Sequence, residues 1–255
     1  MLDPVALQLG PFTIYWYGII ITFAFILGTL LAYYHTTKTD IDPEHILNLL
    51  ILIIPASIIG ARLFQVFSLW DDYKANPIEI LATWHGGLAI HGGLIGGFLV
   101  GYYYVRKYRL DFWRLADIFA PSIILGQAIG RWGNFINQEA YGSAVTSSYI
   151  SHFPDFIQRQ MLIGGQYYHP AFLYESVWNL LVFIILIISL RRQHLKGQIM
   201  LLYLVLYSVG RFFIESIRLD SLMWGPFRSA QFLSVMIIIT CAVIYLRRLK
   251  KGNIP

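Results

Sequence analysis

The sequence predicts an all-α polytopic membrane protein with seven transmembrane helices, an outside N-terminus, a cytoplasmic C-terminus and a small external cap between helices four and five. Three observations carry that prediction. Of 255 residues, 57% are hydrophobic and 13% charged, and the mean hydropathy is +0.59, a composition outside the soluble range. Apolar runs of about 20 residues, the length that crosses hydrocarbon, recur along the chain. Basic residues collect in alternate loops, as the positive-inside rule requires of a multi-span chain.

The runs extend, in order, from about Tyr15 to Tyr34, His45 to Leu69, Leu88 to Val105, Leu115 to Asn137, Ala171 to Leu190, Ile199 to Ile217 and Phe227 to Leu246. Before the first, Met1 to Phe12 carries no Lys or Arg, and no small-residue cleavage pattern follows, so the start does not read as a cleavable signal peptide. Lys38 follows the first span. Arg106, Lys107, Arg109 and Arg114 follow the third, Arg191, Arg192 and Lys196 the fifth, and Arg247, Arg248, Lys250 and Lys251 the seventh. These segments are therefore cytoplasmic, and the number of spans is odd. The opposite loops carry mainly Lys74 and Arg159. The net charge of +5 is thus a topology signal and does not point to nucleic acid.

The third span opens with His85-Gly86-Gly87-Leu88-Ala89-Ile90-His91-Gly92-Gly93, and Gly93, Gly97 and Gly101 recur every four residues, a face that admits a neighbouring backbone. Connections read as short except residues 138–169, with Pro154, Gly164 and Gly165. A loop of that length is expected to have structure or function of its own. Residues 1–255 are therefore read as a single membrane domain, with the external cap at 138–169 inserted between the fourth and fifth helices. No internal repeat supports a repeat-built transporter. The one cysteine, Cys241, excludes an intrachain disulfide and reads as a small buried hydrophobe.

Depth organises the polar residues. With spans alternating in direction, Tyr17, Arg62, His91, Arg131, Asn134, Asn137, Glu175, Arg211, Glu215, Arg218 and Gln231 all fall in the outer half. Arg211, Glu215 and Arg218 share a helix face at i, i+4, i+7, as do Arg131 and Asn134 at i, i+3. One reading is a set of internal ion pairs, Arg211 or Arg218 with Glu215 and Arg62 with Glu139 or Glu175. The other starts from a count: four arginines (Arg62, Arg131, Arg211, Arg218) face three acids (Glu139, Glu175, Glu215). One unmatched cation at the outer leaflet suits a phospholipid headgroup, which Arg binds in bidentate fashion. His91 adds a group able to accept a proton near neutral pH. Metal ligation by His85, His91 and His169 matches no zinc spacing.

The segment Gly130-Arg131-Trp132-Gly133-Asn134-Phe135-Ile136-Asn137-Gln138-Glu139-Ala140-Tyr141-Gly142 resembles the signature of bacterial phosphatidylglycerol:prolipoprotein diacylglyceryl transferases. Further resemblances lie at Trp16-Tyr17-Gly18, Gly60-Ala61-Arg62, His91-Gly92-Gly93-Leu94-Ile95-Gly96, His169-Pro170 with Tyr174-Glu175, and Arg211-Phe212-Phe213-Ile214-Glu215-Ser216-Ile217-Arg218. They run in the family's order over nearly the whole chain.

The resemblance implies a plasma-membrane (inner-membrane) enzyme, active toward the outer leaflet. It would move the diacylglyceryl group of phosphatidylglycerol onto a lipobox cysteine in the signal peptide of a prolipoprotein, releasing glycerol phosphate, as the first step of lipoprotein maturation. It implies no metal or organic cofactor. Catalytic roles are expected for His91, Arg131, Arg211 and Tyr17. Substrate contacts are expected at Arg131, Asn134, Asn137, Glu139, Gly142, Arg62, Glu215 and Arg218. His91 is the candidate base, or the orienter, for the thiol, and Arg131 and Arg211 the groups that meet the growing phosphate charge. Rival classes fit less well. No protease motif or retinal lysine is present, and a lipid transporter or anion channel leaves His91 without a task.

Overall fold

The structure is a computed structural model that describes residues 2–10, 12–83, 86–192, 195–225 and 227–250. His85 and Lys251, named above, lie outside the described residues. In chain order the elements begin with β1 (Val5–Leu9), β2 (Phe12–Tyr15), α1 (Trp16–Thr36), α2 (Glu44–Ser68) and α3 (Trp70–Ala75), then a 3-10 turn (Pro77–Ile80). Next come α4 (Ile90–Lys107), α5 (Phe112–Ile136), β3 (Ala144–Val145), α6 (Ser147–Ile150) and α7 (Asp155–Gln160). The chain continues through β4 (Leu162–Ile163), β5 (Gln166–Tyr168), α8 (Ala171–Leu190), α9 (Gln198–Glu215), β6 (Met223–Trp224), β7 (Phe227–Arg228) and α10 (Ser229–Lys250). Two compact units result, one of Met1–Ala32 with Ala116–Pro255 and one of Tyr33–Leu115.

The helices α1, α2, α4, α5, α8, α9 and α10 each have 18 residues or more and fall on the seven apolar runs. Five of them, α1, α2, α8, α9 and α10, are long and apolar enough to cross a membrane. Glycines and tyrosines dilute α4, while Arg114, Asp117 and Arg131 dilute α5. Outward faces such as Ile19, Phe23, Ile26 and Leu30 on α1 are exposed and apolar, a surface that suits hydrocarbon and not water. The chain is a mostly helical, multi-pass membrane protein.

In the smaller unit, α2 and α4 pack backbone to backbone. A Cβ at Gly96 would lie 3.2 Å from the Gly60 Cα, and Gly60 and Gly92 approach each other more closely still. The stripe read from the sequence is thus shifted by one residue. Gly92 and Gly96 meet the backbone of α2, while Gly93 and Gly97 flank that contact against Ser57. The connection between these helices, read as short, holds α3 and the 3-10 turn.

In the larger unit the core holds Ala120 and Ile124 of α5, Val182 and Leu186 of α8, and Ile199 and Tyr203 of α9. Asp117 of α5 accepts from the amides of Gly197 (2.5 Å) and Met200 (2.9 Å), so a buried carboxylate satisfies the free N–H groups that open α9. Trp178 of α8 lies against Gly210 and donates to the Leu206 carbonyl at 2.9 Å.

Residues 138–169 fold into a three-stranded antiparallel sheet, in the order β3-β5-β4, with α6 and α7. Gly164 and Gly165, at φ +58° and +83°, turn the β4–β5 hairpin. Ile150, Ile157 and Met161 pack with Phe135 of α5 and Phe172 of α8, which ties this segment to both helices. Buried Gln160 seals the exit of α5 by donating to the carbonyls of Phe135 (3.2 Å) and Ile136 (2.9 Å) and accepting from the Leu2 amide (2.7 Å). The β1–β2 and β6–β7 hairpins escaped the sequence reading.

Candidate active site

Glu175, one turn into α8 and 4% exposed, is the centre of the larger unit's polar cluster. Its Oε2 pairs with Arg131 Nε at 2.8 Å, and its Oε1 with Arg218 Nη1 at 3.0 Å and Arg211 Nη1 at 3.3 Å. Three guanidinium groups from α5, α9 and the turn after α9 thus share one carboxylate. Leaving any of these charges unpaired inside the protein would cost several kcal/mol, roughly 3–5 on removal of a partner.

Each arginine has a second acceptor. Arg211 Nη2 lies 2.7 Å from Glu215 Oε2, four residues along the same face. The N–H direction misses that oxygen, so Glu215 Oε2 accepts no aligned hydrogen bond despite the short ion pair. Arg218 grips Asp220 with Nε and Nη2, at 2.9 and 2.5 Å. Burial alone would raise the Asp220 carboxyl pKa, but the hydrogen bond and charge of Arg218 hold it below the usual aspartate value.

Arg131 Nη1 donates to Asn134 Oδ1 at 3.3 Å, and Asn134 Nδ2 to Glu139 Oε1 at 2.9 Å. Asn137 Nδ2 reaches the same Glu139 oxygen at 3.5 Å. The i, i+3 face read from the sequence is therefore a short relay that orients Arg131. Tyr17 packs on the same helix at Gly133, where a Cβ would come within 2.6 Å of its ring. Arg131 and Arg211 remain 21% exposed as side chains, against 9% for Arg218. Among the described residues, Arg131 Nη2 and Arg211 Nε take no part in these pairs. The cluster thus has rigid cations with donor edges to spare.

Gly142 joins three segments. Its amide donates to the His169 carbonyl at 3.0 Å, it bridges to Arg218 in antiparallel fashion, and Ser143 N donates to the Ile217 carbonyl at 2.6 Å. A Cβ there would meet His169 Cβ at 2.7 Å and the Ile217 carbonyl at 3.1 Å. His169 Nδ1 stands 3.2 Å from the Tyr174 hydroxyl, which pairs with Tyr149 at 2.9 Å. Burial pushes the His169 imidazole pKa below its ordinary value.

In the smaller unit, exposed His91 is the second residue of α4, its ring 6.0 Å from that of Phe64 on α2. Arg62, on α2, is only 6% exposed. It donates to the carbonyls of Ile80 (3.1 Å), Gly86 (2.5 Å), Gly87 (2.9 Å) and Ala82 (3.1 Å), and to that of Glu79. All five of its N–H groups are engaged by backbone carbonyls. The surplus cation in the sequence count was Arg62, and backbone dipoles surround it.

The family model described as prolipoprotein diacylglyceryl transferase matches residues 4–247.

The chain belongs to the prolipoprotein diacylglyceryl transferase family.

Curated relatives named phosphatidylglycerol--prolipoprotein diacylglyceryl transferase are similar to it over their length. The one from Listeria monocytogenes serotype 4b (strain CLIP80459) is 50% identical, covering 100% of this chain and 92% of the relative. That from Bacillus cytotoxicus (strain DSM 22905) is 49% identical, covering 99% and 94%.

For this family member the sequence reading missed two residues and underrated a third. Asp220 lies just past the apolar run, so it was left out of the charge count. Arg228, on β7, donates to the carbonyls of Glu215 and Arg218 and props the turn that carries both. Glu175 was named as a counter-ion and within the Tyr174-Glu175 resemblance, and helical spacing cannot show that three arginines converge on it.

Proposed function

We propose that the protein transfers the diacylglyceryl group of phosphatidylglycerol to the thiol of the lipobox cysteine of prolipoproteins, forming a thioether and releasing glycerol phosphate, the first step of bacterial lipoprotein maturation. The observation that carries the reading is the pair of partly exposed arginines, Arg131 and Arg211, fixed on one buried glutamate. The sulfur attacks C3 of the glycerol that bears the acyl chains. The C–O bond to phosphate breaks, and its electron pair leaves on the phosphate oxygen. A diester with one negative charge becomes a monoester with nearly two, since the second pKa of such a group is about 6.

Donors already held in place stabilise that growing charge without reorganising. Arg131 and Arg211 have this task, Asn134 orients Arg131, and Tyr17 packs on the same helix at Gly133. Asn137, Glu139, Gly142, Glu215 and Arg218 hold the substrate site in shape through the bonds described above. His91 takes the thiol proton in this scheme, a role assigned from its chemistry and its place in the family motif.

The same reading makes all seven long helices transmembrane in the plasma (inner) membrane, with the N-terminus outside and the C-terminus cytoplasmic. Residues 138–169 are then an external cap on a single membrane domain, and the site opens toward the outer leaflet. The distribution of basic residues supports this orientation. The test is purified protein with phosphatidylglycerol vesicles and a lipobox peptide, read by mass spectrometry. The expected product is the thioether-linked diacylglyceryl peptide; unmodified peptide with intact, lipid-bound protein would favour a binding or transport role.

A further inference from the structure

We propose that Arg62 is a positioning residue: by gathering the carbonyls of Glu79, Ile80, Ala82, Gly86 and Gly87 it sets the start of α4 and, with it, His91. One turn of α2 meets the entry to α4 at four points. Gly60 abuts Gly92, the Ala61 carbonyl accepts the Ala89 amide at 3.1 Å, Arg62 holds the preceding segment, and Phe64 lies against the His91 ring. The α4 N-terminus has no side-chain cap, so this outside support stands in for one.

The chemistry of the nest is specific to a guanidinium. Five acceptors lie around one planar group, and the Tyr73 ring covers it, its centroid 5.0 Å from Arg62 Cζ. Gly86 and Gly87 adopt φ of +89° and +72°, a conformation that turns both carbonyls onto Nη1. A Cβ on Gly87 would stand 2.6 Å from Nη1 and 2.7 Å from the Tyr73 hydroxyl. An ammonium group brings three donors and no plane, so lysine leaves at least two carbonyls unmet.

The inference rests on the transferase reading for its activity readout alone. The experiment pairs Arg62→Lys with wild type in the full-length protein, measuring amide hydrogen exchange over residues 79–91 and steady-state kinetics with phosphatidylglycerol vesicles and lipobox peptide. The variant is expected to exchange faster in that segment and to lose kcat by about 10-fold to 100-fold, as misplacement by ~1 Å does, while KM for phosphatidylglycerol holds. Unchanged exchange, or a rise in KM with kcat intact, overturns the positioning role, the latter in favour of direct headgroup binding. If wild type forms no thioether the transferase reading fails, and the exchange measurement alone decides the proposal. Should Arg62→Lys not fold, Gly87→Ala perturbs the nest with Arg62 present. The same exchange and kcat signature is then expected, and wild-type behaviour of a folded Gly87→Ala contradicts the proposal.

Discussion

Arg131, Arg211 and Arg218 meet carboxylates, whereas Arg62 meets backbone carbonyls, and that difference separates an arginine that is held from one that holds. A carboxylate neutralises its partner and leaves guanidinium edges free, as the 21% exposure of Arg131 and Arg211 shows. Carbonyl dipoles consume the donors one by one, and at Arg62 none remains. Charge counting on the sequence sets all four at one membrane depth. Partner type sets three of them in an ion-pair cluster and the fourth in a nest of carbonyls.

The largest expected effect lies at the shared acceptor. Glu175→Gln leaves Arg131, Arg211 and Arg218 around a neutral amide, so thermal unfolding in detergent should show a loss of roughly 3–5 kcal/mol, the cost of breaking a buried ion network. A loss under ~1 kcal/mol, the value of a surface pair, would erase the distinction between the cluster and an ordinary set of salt bridges.

A smaller effect is expected at Gly142, whose role beside the cluster parallels that of Gly87 beside Arg62. Gly142→Ala forces a Cβ against His169 and the Ile217 carbonyl. Overpacking of this kind costs about 1–3 kcal/mol, and here it should also part the Arg218 turn from residue 142. Unfolding and exchange at residues 216–221 measure both, and wild-type values would show that the stitching is not tight.

The smallest effect is one of pH. The Asp220 pKa is depressed on folding, so the unfolded chain binds more protons and the Arg218–Asp220 pair stabilises the fold above the unfolded aspartate pKa of ~3.9. That contribution disappears as pH falls through the folded value. Arg62's carbonyls do not titrate, so acid should loosen residues 216–221 before residues 79–83 and 86–87. Hydrogen exchange across that range checks the order, and simultaneous loosening would blur the contrast.

Much of the fold was legible because hydrocarbon imposes a simple length rule, and each long helix lies on an apolar run. Short hairpins carry no such constraint, so β1–β2 and β6–β7 were not visible. The segment between α2 and α4 was passed over because apolar Leu69 and Leu88 made its ends look like helix. Within the site, i, i+3 and i, i+4 spacing did group Arg131 with Asn134 and Arg211 with Glu215. Periodicity cannot tell which helix faces which, and so Glu175 looked like one acid among three. At Arg62, counting charges ignores backbone dipoles, which here outnumber any single counter-ion.

The most direct measurement is product inhibition by glycerol phosphate in wild type, Arg131→Lys and Arg62→Lys. If Arg131 clamps the phosphate, its lysine variant should bind the product about tenfold more weakly, the ~1.4 kcal/mol of a lost charge-assisted hydrogen bond. Arg62→Lys should bind it as wild type does, whatever its turnover. Equal weakening in both variants, or none at Arg131, would contradict the assignment of the phosphate to the carboxylate-paired arginines.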